Sequence, residues 1–81
     1  MAFGEVMREA ATASGRSLRS VGVAAGRGPN YVPAVLSRGT DPSTGVAASL
    51  LGACGYVLAA VPVASQLPPG SLVIDPPDAT A

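Results

Sequence analysis

The sequence predicts a mainly α fold: four short helices followed by a short C-terminal antiparallel β-hairpin. Three observations carry this expectation. Apolar residues recur at helical spacing in four successive stretches. A glycine closes each stretch, at positions 15, 26, 39 and 55. After Gly55 the rhythm changes to short β-prone runs bounded by Pro and Gly. With 81 residues, 48% of them hydrophobic and 12% charged, the chain has room for one core, and its composition is too apolar for intrinsic disorder.

In the first stretch Phe3, Val6, Met7, Ala10 and Ser14 share a helical face, with Glu5, Arg8 and Glu9 on others, and Gly15 ends it. Ser17 is placed to cap the second helix. There Leu18, Val21, Gly22 and Ala25 line one side, and Gly22 on that buried side lets another backbone approach closely. The cluster Arg27-Gly28-Pro29-Asn30 is a turn. A third helix follows, starting either at Pro29 with Gly28 as cap or after Asn30 as cap. Its Val32, Val35 and Leu36 face inward, while Asn30, Tyr31, Ala34, Ser37 and Arg38 face out. Ser43 or Thr44 caps the fourth, whose inward residues are Val46 or Ala47, Leu50, Leu51 and Cys54. Residues 56–61 and 71–75 then read as two strands, separated by Pro62 and the Pro68-Pro69-Gly70 turn. A lone hairpin is marginal in water unless it packs on helices or on a second copy. Residues 78–81 form a tail.

The composition excludes whole classes of chemistry. With no His, a His-based acid–base or triad mechanism has no base. One Cys cannot form an internal disulfide or a paired-cysteine metal site, which suits a reducing cytosol. Glu5, Glu9, Asp41, Asp75 and Asp78 are the only carboxylates, and they are too scattered for a set of converging ligands. The expectation is a non-enzyme with no metal and no cofactor. Residues 45–64 carry no charge and match a bilayer in length. Against a span stand Gly52, Gly55 and Pro62 inside the run, and the lack of a Lys or Arg after it. The start MAFGEVMREA has neither the basic opening nor the apolar run of a signal peptide, so the expected location is the cytoplasm, away from membranes.

A net charge of zero hides an uneven distribution. Residues 16–38 contain Arg16, Arg19, Arg27 and Arg38 and no acid, a segment charge of +4. The segments on either side are acidic overall. A basic middle of this kind suits contact with nucleic acid. It coincides with two short helices joined by a Gly-containing turn, the shape of a helix-turn-helix. In that arrangement the first helix lies across the phosphates and fixes register, and the second enters the major groove. There Asn pairs with adenine, Arg with guanine, and small apolar side chains meet a thymine methyl.

Residues 17–55 resemble the phage repressor and Cro-type helix-turn-helix proteins, the XRE family. The resemblance lies in Val21-Gly22, Gly26, the run GRGPNYVPAVLSRG ending at Gly39, Pro42-Ser43 before the fourth helix, and LLGACGY ending at Tyr56. It implies a lambda-repressor-like domain over residues 1–55, with the segment 56–77 as a dimerisation element. It implies that Arg27, Asn30, Tyr31, Ala34 and Arg38 face DNA, with Arg19 on a phosphate. Three positions depart from the family's pattern. Leu18 stands where Gln is frequent, Leu36 where Glu is frequent, and Pro33 where Ser is frequent. If the third helix starts at Pro29, Pro33 removes an interior backbone bond; if Asn30 is the cap, Pro33 falls in the first turn.

The expected function is therefore a sequence-specific DNA-binding transcriptional regulator of bacterial or phage origin. The helix near residues 29–38 would read double-stranded DNA as part of a homodimer. Repression is expected over activation, because no second domain is present to recruit other factors. The alternative is an antitoxin or accessory protein that keeps the helix-turn-helix fold and acts mainly through a protein partner such as a toxin.

Overall fold

The computed structural model describes residues 1–75, which form four helices and an irregular C-terminal arm. The first helix, α1 (Phe3–Ala13), opens with the Glu5 carboxylate accepting from the Ala2 N–H at 2.9 Å, which satisfies a backbone donor at the helix entrance. Phe3, Val6, Met7, Ala10 and Ala11 are buried. Ser14 was expected at the end of that face, but Ala11 takes the place. The helix stops at Ala13 and Gly15 turns away at φ 72. Ser14 is thus left exposed as the cap residue, its Oγ donating to the Ala11 carbonyl at 2.9 Å.

The second helix, α2 (Leu18–Ala24), starts at Ser17, whose Oγ accepts from the Ser20 N–H at 3.1 Å. It packs mainly on α3 (Tyr31–Arg38). Between them the N–H groups of Arg27 and Gly28 both donate to the Gly22 carbonyl, at 2.8 and 3.3 Å. This doubled bond folds the turn back onto α2. A Cβ on Gly22 would lie closer than 3.0 Å to the Gly28 carbonyl oxygen, so the close backbone approach expected at Gly22 is made to the turn itself.

Of the two possible starts, α3 takes the one after Asn30. Gly28 sits at φ 111 and Asn30 is the N-cap residue, so a start at Pro29 with Gly28 as cap is corrected. The first helical bond of α3 runs from the Ala34 N–H to the Asn30 carbonyl at 3.1 Å. Pro33 lies one residue short of it, where an N–H has no partner inside the helix, so its missing donor is not needed. Gly39, left-handed at φ 69, closes the helix.

The fourth helix, α4 (Thr44–Gly52), is capped by the Ser43 Oγ, which accepts from the Val46 N–H at 3.4 Å. Ala47, Leu50 and Leu51 are buried and Val46 is half-buried. One large side chain from each helix (Met7, Val21, Val32 and Leu50) is fully enclosed, and Cys54 joins this core just beyond α4. Gly45 is exposed in the first turn of α4, and a Cβ there would meet nothing within 4 Å. Gly45→Ala is expected to stabilise the fold by about 0.4–1 kcal/mol through a less flexible unfolded chain. Urea unfolding of the two proteins in parallel checks this, with a higher midpoint at an unchanged slope as the expected result.

The two strands expected over 56–61 and 71–75 are absent among the described residues. The arm runs irregularly through two β-turns, closed by Ser65 N–H to the Pro62 carbonyl and Ser71 N–H to the Pro68 carbonyl, both at 3.2 Å. Pro62, Pro68 and Pro69 have no N–H to give a ladder. The end of the arm turns to α1 instead of to residues 56–61. The Asp75 N–H donates to the Met1 carbonyl at 2.8 Å, and the Asp75 carboxylate pairs with the Met1 amino group. Tyr56 and Leu72 pack on the helical core. Residues 76–77, expected to complete the hairpin, and the tail at 78–81 lie outside the described residues. Among the described residues no helix is long and apolar enough to cross a membrane.

Candidate nucleic-acid interface

The six candidate residues lie on α2, the turn and α3. Arg19 projects from the first turn of α2, and its Nη1 donates to the Asn30 Oδ1 at 3.1 Å. Asn30 is therefore a cap residue by position only. Its side chain makes no capping bond and is held across the helix pair by Arg19. Arg27 leaves the turn with its guanidinium 5.2 Å from the centre of the Tyr31 ring, a separation at which the π-face attracts the cation. The Tyr31 ring is half-buried against the core and carries Arg27 above it. It covers the core edge and supports a cation together.

These two contacts bring four of the six residues to the start of α3. Ala34 and Arg38 continue from Tyr31 at intervals of three and four residues, along one helical face, and both are exposed. Arg38 occupies the last turn of α3, where its charge complements the helix dipole. The stripe spans roughly 10 Å along the helix axis. Arg16, counted in the basic segment but not among the six candidates, is exposed in the connection between α1 and α2. Its backbone N–H donates to the Ala11 carbonyl at 2.9 Å, which fixes the chain there. Among the described residues none of Arg16, Arg19, Arg27 and Arg38 is in an ion pair.

Packing accounts for the apolar residues at positions 18 and 36. Leu18 is half-buried against the core, a place that suits an apolar side chain. Leu36 reaches the first turn of α1, where its Cδ2 would lie 3.4 Å from a Cβ on Gly4. A charged Glu in that contact would carry a desolvation cost.

Among the described residues no three His, Cys, Asp or Glu side chains gather in a way that could hold a metal ion. Cys54 is buried with a free thiol and packs as a small apolar residue. The shallow hollow on α1 lined by Glu5, Arg8, Glu9 and Thr12 mixes charges of both signs and is open to solvent. Compared with protein-family models, with curated proteins and with solved structures, the chain has no match.

Proposed function

We propose that this protein is a sequence-specific DNA-binding regulator, a repressor of lambda-repressor-like type in the XRE family, working in the cytoplasm as a homodimer. The observation that carries the reading is the grouping of Arg19, Arg27, Asn30 and Tyr31 at the start of α3, continued by exposed Ala34 and Arg38. In this reading α3 enters the major groove. Arg19 and Arg27 meet phosphates on either side of the helix start. Asn30 and Arg38 offer hydrogen bonds to base edges, and Ala34 leaves room for a thymine methyl. Arg19 keeps the Asn30 amide from swinging and Tyr31 keeps Arg27 from folding away, so part of the ordering entropy is lost before DNA arrives.

Fluorescence anisotropy of a labelled duplex from the gene's own upstream region, beside a scrambled duplex, tests the reading. A regulator of this kind is expected to prefer the native duplex by at least about a thousandfold at physiological salt. Its affinity is expected to fall with salt at a slope of about −0.9 per phosphate contact. Equal, weak binding to both duplexes would overturn sequence-specific regulation. A second reading, an antitoxin or accessory protein acting through a protein partner, is favoured by one observation: the C-terminal arm exposes a row of large apolar side chains.

A further inference from the structure

Asparagine in the major groove ordinarily pairs with adenine, because its amide carries an acceptor and a donor side by side. The Oδ1 accepts from the adenine N6 amino group while the Nδ2 donates to N7. Here one half of that pair is already engaged. The Asn30 Oδ1 accepts from the Arg19 Nη1 at 3.1 Å. Arginine has donors and no acceptor, so the contact settles which way the amide is turned. The carbonyl is given to α2, and the amino group is the end left to meet a base. The Asn30 side chain makes no capping bond in α3 that would compete for either end.

The Oδ1 keeps a second lone pair, and charge decides what can approach it. Arg19 is in no ion pair among the described residues, so the guanidinium beside Oδ1 holds its positive charge unopposed. An adenine or cytosine amino group brought to that oxygen would set a donor against a cation. A base oxygen in the same place is attracted by the Nδ2 and by the guanidinium together. The surroundings have the same polarity. Arg27 adds a second cation at the start of α3, and no carboxylate occurs from residue 10 to residue 40. The start of α3 therefore presents a face of donors. In the major groove guanine alone shows neighbouring acceptors, O6 and N7. Adenine shows N7 beside an amino group, thymine O4 beside a methyl, and cytosine an amino group.

We propose that the Arg19–Asn30 pair reads guanine. Arg19 is a positioning residue that makes Asn30 a donor, and so reverses the adenine preference that a free amide would have. The proposal rests on the DNA-binding reading above and assigns the base recognised at the start of α3.

In vitro selection by the full chain from a pool of randomised duplexes tests it, with wild type, Asn30→Ala and Arg19→Ala run in parallel. Arg19 and Asn30 are both exposed, so the variants keep the fold, as circular dichroism will show. The position read by Asn30 is the one that loses its preference in Asn30→Ala. There the wild type is expected to favour a G·C over an A·T pair by about 10–100-fold. Arg19→Ala frees the Oδ1 and is expected to shift the same position to A·T. Its lost phosphate contact weakens all sequences alike, so the change of base is a separate readout. In the selected duplex 7-deazaguanine, which lacks the N7 acceptor, is expected to weaken wild-type binding about tenfold. An A·T preference in the wild type, a G·C preference kept by Arg19→Ala, or binding indifferent to 7-deazaguanine would overturn the proposal and leave a sequence-specific DNA binder. A selected site with no position altered in Asn30→Ala would do the same. A wild type that enriches no sequence would overturn the DNA-binding reading itself, and the proposal with it.

Discussion

Replacing Gly22 with Ala is expected to lower the melting temperature by about 4–24 °C, because overpacking of this kind costs about 1–3 kcal/mol in a domain of this size. The added methyl would lie closer than 3.0 Å to the carbonyl oxygen of Gly28. That oxygen belongs to the backbone and has no rotamer by which to retreat. The same turn is held to α2 by the N–H groups of Arg27 and Gly28 on the Gly22 carbonyl, so moving the turn away breaks or stretches two hydrogen bonds. A chain of this length is stabilised by only about 4–12 kcal/mol, and the loss is a large part of it. Circular dichroism melts of the wild type, Gly22→Ala and Gly45→Ala provide a comparison with opposite signs. Both substitutions replace a helical glycine with the better helix former, and only the first meets a neighbouring backbone. A Gly22→Ala protein as stable as the wild type would mean that α2 does not approach the turn as closely as described.

What could be read from the sequence depended on how local each feature is. Ser17, and Ser43 as one of two candidates with Thr44, were recognisable as caps because a cap is a relation between a side chain and an N–H three residues on. Val32, Val35, Leu50 and Leu51 were recognisable as core from helical spacing alone. Gly22 could be expected at a close approach, since a glycine on a buried face has few other uses. The role of Asn30 was not accessible in this way. Its partner Arg19 is 11 residues earlier on another helix, and only the packing of α2 on α3 decides that the amide meets a guanidinium.

Residues 56–61 are rich in strand-forming types, but strand propensity is realised only where a neighbour supplies a ladder and a packing face. Asp75 instead gives its N–H to Met1, a contact between the two ends of the described chain that no local pattern announces. Periodicity likewise placed Ser14 on the face of α1, because it says nothing of where the helix stops.

The Arg27→Ala, Arg38→Ala double variant is expected to bind the native duplex about 10–100-fold more weakly than the wild type, with a salt slope shallower by about 1 for the phosphate contact of Arg27. Neither side chain supports the core. Arg38 is exposed at the end of α3, and Arg27 lies over the outer face of the Tyr31 ring. The loss of an exposed cation–π contact costs only about 0.5–1 kcal/mol, too little to unfold the domain, so weaker binding would report on the interface. The single variants separate the roles of the two residues. Arg27→Lys keeps the charge but loses the planar guanidinium over Tyr31; if Arg27 is a phosphate contact, its salt slope stays near the wild type. Arg38→Ala is expected to narrow the difference between native and scrambled duplexes, because a base contact contributes to discrimination while a phosphate contact weakens all sequences alike. If the double variant bound the native duplex as the wild type does, the start of α3 would not be the reading surface. The basic segment would then be an ordinary solvated face, and the apolar arm would be left as the feature that most demands a partner.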